Sequence, residues 1–279
     1  MTVKMAGFSE VLIAAIFAVT FVGATAAASE YVQPWKSKNV SIIIDPYGLN
    51  PIDWGRLKKD PRIAGFIHKA TEGLAPPVRC GKLEGAERGL CRYRSKYYHV
   101  NVELFKTRRT LAKQLGYKWG AYHLGRPGNP VAQAKHFLAV ARPGKRDLLA
   151  LDLEDLDDQK WMSLGDAEVF VEYIRKKTGR YPILYSNHKV LSYIAKHHRN
   201  FPVLAKLSVW YARFKPEITG VFPMGPFKTY SLWQFKSEIN CKSKSECPYL
   251  VDGTDFDMDL NVYPEPVAKL KAKWPRISR

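Results

Sequence analysis

Asp147-Leu-Leu-Ala-Leu-Asp-Leu-Glu-Asp155 is an apolar run of strand length that ends directly in acids, and its reading decides the fold. Side chains alternate along a strand, so Asp152 and Glu154 emerge on one face while Leu151 and Leu153 take the other. Both acids therefore point at one place. In a parallel sheet the carboxyl ends of the strands carry the functional site, and this pair sits at such an end. Acids seldom follow a buried run without a chemical reason, which makes Asp152 and Glu154 catalytic candidates. Asp155, Asp157 and Asp158 read as the solvated acids of a strand end.

Working outward, the chain alternates strands and helices. Ser41 to Asp45 and Gly65 to Thr71 read as strands, and Asn101 as the cap of a helix with Leu104, Leu111 and Leu115 inward, stopped by Gly116. Lys118 to His123 is a third strand. Asn129-Pro130 opens a helix that Pro143-Gly144 closes, and after Glu154 a helix from about Asp166 to Thr178 ends at Gly179 before the strand Pro182 to Asn187. Repeated βα units imply a parallel sheet. Beyond residue 200 the helices fade, leaving strand-like runs at Leu207 to Phe214, Ser231 to Phe235 and Phe256 to Val262. No G-x-G-x-x-G follows the first strand and the strands approach eight, so a closed α/β barrel is expected over an open sheet.

The first residues read as an export signal: Lys4, the apolar run Val11 to Val22, and the small residues Ala24 to Ala28. Residues 1–28 are thus assigned to a signal peptide, 29–40 to a short lead, 41–265 to one barrel domain and 266–279 to a basic tail. A secreted or periplasmic product follows. The four cysteines, Cys80, Cys91, Cys241 and Cys247, lack zinc-ligand spacing and suit disulfides in an exported chain. The local pairs are expected, Cys80 with Cys91 and Cys241 with Cys247, because each brackets a Gly-, Lys- or Ser-rich loop.

Net charge is +18, and the leader's one Lys and one Glu cancel. Export and the lack of a recognition motif argue against nucleic acid as the partner, which leaves an anionic cell envelope. The densest basic run is the tail, with Lys269, Lys271, Lys273, Arg276 and Arg279 around Trp274. It reads either as an envelope-binding segment or as a solvated, frayed end. On the first alternative, deleting it weakens envelope binding more than turnover.

Seven pieces in order carry a family resemblance: Ile-Ile-Ile-Asp45, His-Lys-Ala-Thr-Glu72-Gly, Trp-Gly-Ala-Tyr122-His123, Leu-Asp152-Leu-Glu154, Trp210-Tyr-Ala, Leu-Trp233-Gln234-Phe and Asp259-Leu-Asn261-Val-Tyr. From Ser41 to Tyr263 the chain resembles the family 25 glycoside hydrolases, secreted muramidases that cut peptidoglycan. The resemblance implies an irregular TIM-like barrel of five βα units followed by three strands. It also places Asp45 and Asp259 in the same floor as Asp152 and Glu154, as orienting or charge-tuning groups. Two stretches depart from the family pattern. Pro76-Pro77-Val78 and an insertion bracketed by Cys80 and Cys91 follow Thr-Glu-Gly, and Asp252-Gly-Thr-Asp255-Phe-Asp257-Met-Asp259 is unusually acidic but lacks calcium-loop spacing.

Cleaving a β-1,4 glycosidic bond requires a proton for the leaving oxygen and negative charge beside an oxocarbenium-like centre. Glu154 is the expected acid, kept protonated by the like charges of Asp152, Asp45 and Asp259. Asp152 is expected to stay ionised, either attacking the sugar or steadying a substrate whose own N-acetyl oxygen attacks. Tyr122, Tyr185, Trp210 and Trp233, at or near strand ends, are candidates for stacking on sugar rings. Glu72 and His123 read as structural. The reading calls for no metal, no cofactor and a monomer. Two other classes stay open: a wall-binding barrel with weak or lost chemistry, and a polysaccharide deacetylase, which would need metal-binding histidines that are not found near Asp45.

Overall fold

The computed structural model describes residue 2 and residues 30–48, 50–77 and 79–277. The proposed leader, apart from Thr2, lies outside the described residues, as do Val78 and Arg279. Eight strands close a barrel: β1 (Ser41–Asp45), β2 (Ile63–Glu72), β3 (Lys118–Leu124), β4 (Asp147–Leu153), β5 (Ile183–Asn187), β6 (Val209–Ala212), β7 (Leu232–Lys236) and β8 (Asp259–Tyr263). Neighbours from β1 to β7 are parallel, and β8 runs antiparallel between β7 and β1. Helices α1 (Gly85–Gln114), α2 (Pro130–Ala141), α3 (Leu164–Thr178) and α4 (His188–Lys196) follow β2 to β5, while the first connection carries only a 3-10 turn, Arg56–Lys59. The expected barrel with a helix-poor ending is present.

Alternation sorts each strand into two cores. Ile42, Ile44, Phe66, Leu149, Leu151 and Leu153 face outward beneath the helices, against Phe105, Phe137 and Phe170. Ile43, Ile67, Leu148, Ala150, Ile183, Trp210, Leu232 and Tyr263 fill the barrel. Such a filled interior leaves the acids at the end of β4 only one exit, the mouth at the carboxyl ends of the parallel strands.

Expected caps hold: the Asn129 side chain accepts from Ala132 N at 2.9 Å, and Gly179 ends α3 at φ 74°. The expected start of the first helix does not. It begins at Gly85, and Asn101 lies inside it, donating from its side chain to Tyr97 O at 3.0 Å. Its inward residues are Phe105, Arg108 and Ala112, whereas Leu115 is exposed and outside the helix. The first half of α1 has almost no buried face, so it carries no apolar period to read. Arg109 and Lys113 on its second half each reach Asp147 at 2.5 Å and tie the helix to β4.

As far as Ile277 the basic tail is not frayed. Val267–Lys273 forms α5, and Leu270, Trp274 and Ile277 are buried with the barrel interior. Trp274 Nε1 donates to Trp119 O at 3.2 Å, near the start of β3. The tail therefore plugs the barrel end opposite the mouth. Deleting from Lys269 would unseal the core rather than remove a separate binding segment. Both local disulfides, Cys80–Cys91 and Cys241–Cys247, are formed.

Candidate active site

A cavity of about 640 Å³ opens at the mouth, and Asp152, Glu154 and Asp259 line it with Lys69, Tyr122, Tyr185 and Gln234. Each comes from a strand end: Lys69 from β2, Tyr122 from β3, Asp152 from β4, Tyr185 from β5, Gln234 from β7 and Asp259 from β8. Asp45 ends β1, lies opposite Asp259 in the β1–β8 pairing, and is buried beneath the cavity. The four expected acids are brought together.

Gln234 organises two of them. Its Nε2 donates to Asp45 Oδ2 at 3.1 Å and to Asp259 Oδ2 at 3.4 Å, and its Oε1 accepts from the Tyr185 hydroxyl at 2.7 Å. Among the described residues, Asp45 Oδ1 and Asp152 Oδ1 are buried without a hydrogen-bond partner. Such oxygens are costly as anions. Burial pushes Asp45 and Asp152 well above the ordinary carboxylate range, and the neighbouring acids push them further. Asp259 rises to about 8, first from burial and then from Glu238, against the pull of Lys236. Glu154, nearer the surface, is also raised by burial, but Arg126 and Lys69 draw it back.

This differs from the expected division of charge. Burial, not like charge, is the main cause that raises Glu154. Asp152, expected to stand ionised, is the more deeply buried of the pair and favours its neutral form in the empty cavity. Lys69 is the cation that the sequence reading passed over. It pairs with Glu72 at 3.2 Å and lowers Asp45, Asp152 and Glu154 alike.

The aromatic candidates divide. Tyr122 and Tyr185 line the cavity, and both meet Trp210 edge-on below it, at 6.1 and 4.6 Å between ring centroids. Trp210 is a buried pedestal whose Nε1 donates to Asn261 Oδ1 at 2.5 Å. Trp233 faces the other way. It packs edge-on against Trp35 at 5.2 Å, and its Nε1 donates to Arg213 O at 2.7 Å. Because side chains alternate, Gln234 and not Trp233 is the β7 residue that reaches the site. Trp161 and Tyr47 line the cavity without having been anticipated, Trp161 beneath the Arg126 guanidinium at 4.4 Å.

Glu72 and His123 hold structural positions. Arg126 Nε donates to Glu72 at 2.8 Å, and buried His123 hydrogen-bonds Thr71 at 2.7 Å and Gln133 at 3.0 Å while stacking on Phe170. In the acidic stretch before β8, Asp252 pairs with Arg56 at 2.6 Å and Lys59 at 2.8 Å. Gly253 takes φ +94°, in the left-handed region, and an added Cβ there would lie 2.6 Å from Asp53 O. That stretch is a turn delivering Asp259.

The model of the glycosyl hydrolases family 25 matches residues 96–244, more than half of the chain and inclusive of Asp152 and Glu154. The chain belongs to that family. It is a glycoside hydrolase. Among solved structures, a muramidase from Acremonium alcalophilum has the same fold at 22% identity and TM-score 0.55, over 83% of this chain and 97% of that one. A lysozyme from Streptomyces coelicolor matches at 19% identity and TM-score 0.53, over 87% and 100%. A family GH25 lysozyme from Aspergillus fumigatus matches at 19% and 0.54, over 84% and 98%. No curated protein sequence matches the chain.

Proposed function

We propose that the family 25 barrel hydrolyses peptidoglycan at the β-1,4 bond between N-acetylmuramic acid and N-acetylglucosamine. The observation that carries this reading is the convergence of Asp45, Asp152, Glu154 and Asp259 on one cavity at the barrel mouth. Glu154 donates the proton to the leaving oxygen and retrieves one from water, a role suited to a carboxyl that burial raises above its ordinary range. Asp152 supplies negative charge beside the anomeric carbon. Lys69 draws Asp152 down against the burial that raises it, and the positive charge developing at the anomeric carbon favours its anion further. It acts as nucleophile or as the partner of a substrate acetamido group. Asp45 and Asp259, held by Gln234, tune that charge, and Tyr122 and Tyr185 contact the sugar.

The +18 net charge supports attraction to an anionic envelope, and two disulfides suit an exported protein with residues 1–28 as its leader; the protein acts as a monomer whose barrel domain, residues 41–265, is sealed by α5 and extends with it to Ile277. The test is to mix purified protein with peptidoglycan, follow turbidity against co-sedimentation, and analyse the products by mass spectrometry. Clearing with reducing-end muramic acid supports the reading. Pelleting without clearing, or deacetylated glycan without chain scission, rejects it.

A further inference from the structure

Helix α1 is much longer than the strands it covers. Its 30 residues span about 45 Å at about 1.5 Å each, against about 33 Å for the ten residues of β2. Between Cys91 and Phe105 none of its residues is fully buried, so its first half stands beside the cavity mouth instead of packing on the barrel. The Cys80–Cys91 disulfide ties its start to the preceding loop, and Tyr98 hydrogen-bonds His136 at 2.9 Å. Tyr97 reaches the rim of the site. A Cβ built on Gly48 would lie 3.3 Å from the Tyr97 hydroxyl, and the adjacent Tyr47 lines the cavity.

This rigid projection presents a defined chemistry. Tyr93 and Tyr97 stack nearly parallel, 15° apart with ring centroids at 6.1 Å, and Tyr93 is 65% exposed. Arg92, Arg94 and Lys96 are exposed around them, and no ion pair engages any of the three among the described residues. The cavity lining carries further carboxylates, Asp155, Glu238 and Asp257. An anionic side group on a bound glycan finds its counter-charge in these cations just outside the cavity.

We infer that the first half of α1 is a docking platform for the carboxylate-bearing peptide side chains of the glycan strand whose backbone occupies the cavity. Tyrosine faces give flat contact area and the three cations bind carboxylates. The inference rests on the proposed reaction on peptidoglycan, but its test separates the two.

The combined variant Arg92→Gln, Arg94→Gln, Lys96→Gln and the single variant Tyr93→Ala alter only exposed side chains. For each, half-saturation is measured on intact peptidoglycan, on the same glycan freed of its peptides by an amidase, and on walls stripped of phosphodiester polymers. Cleavage of a soluble neutral chito-oligosaccharide is measured alongside. The triple variant is expected to bind intact peptidoglycan about tenfold more weakly, as three exposed charge contacts acting together would give. It should match the wild type on the peptide-free glycan and the soluble oligosaccharide, and stripping phosphodiesters should leave its defect unchanged. Wild-type binding by both variants, an equal loss on peptide-free glycan, or a defect that disappears with the phosphodiesters would overturn the platform. Failure of the wild type to cleave any of these substrates would reject the proposed reaction, while the binding comparison would still decide the platform.

Discussion

Replacing Asp45 by Asn removes one charge from the acid cluster at almost no cost in shape, and it should stabilise the empty enzyme at alkaline pH. Asp45 Oδ2 and Asp259 Oδ2 lie 3.1 and 3.4 Å from the same Gln234 nitrogen, so their separation is at most the sum of the two, about 6.5 Å. Two ionised carboxylates at that distance repel by about 2.5 kcal/mol at an effective dielectric constant of about 20. The sign follows from the direction of the shifts. Folded-state pKa values raised above the unfolded ones mean that stability is full below about pH 4 and is lost as pH rises through the folded values, to about 8 for Asp259. Once pH has risen through both folded values the wild type carries the whole repulsion and the variant does not. Thermal unfolding without substrate should therefore show no difference at pH 4 and a midpoint advantage for Asp45→Asn that grows as pH rises above about 8, towards about 5–10 °C at about 2–4 °C per kcal/mol for a chain of this size. Activity should fall. A gain of the same size at both pH values, or a loss at pH 9, would refute the electrostatic account of the cluster.

Glu154→Gln should keep the fold and lose about 10²–10⁴-fold activity, because only the transferable proton is gone; full activity on peptidoglycan would sink the assignment. Asp152→Asn should be similarly impaired from pH 4 to 8, and recovery under mild acid would show that no anion is needed there. Trp274→Ala should cost about 3–5 kcal/mol in denaturant unfolding, since the indole seals the barrel end opposite the site; a cost below about 1 kcal/mol would mean that α5 is not a plug. Raising salt should weaken wall binding while leaving turnover of a neutral soluble oligosaccharide nearly unchanged, because screening over about 8 Å acts on long-range attraction and not on contact chemistry. Equal loss in both assays would disprove that separation.

The sequence by itself determined the strand that ends in Asp152 and Glu154, the βα alternation, the helix-poor ending and the local pairing of the cysteines. These are legible because alternation, helix caps and short loop spacings are properties of neighbouring residues. The family resemblance supplied Asp45 and Asp259, which lie more than two hundred residues apart and meet only through the β1–β8 pairing. Closure of the barrel decided the rest. Which of Trp233 and Gln234 enters the site depends on which face of β7 turns inward: Gln234 and Lys236 share one face and Trp233 and Phe235 the other, but both faces are buried, so only barrel closure decides which one is inner. Lys69 reads as an ordinary strand lysine until the barrel places it among the acids. The division of protons also belongs to the tertiary structure, since burial raises Asp152 beyond what neighbouring charge alone suggests. The basic tail shows the same limit: its charges are visible in the sequence, while the cavity that accepts Leu270, Trp274 and Ile277 exists only once eight strands have closed.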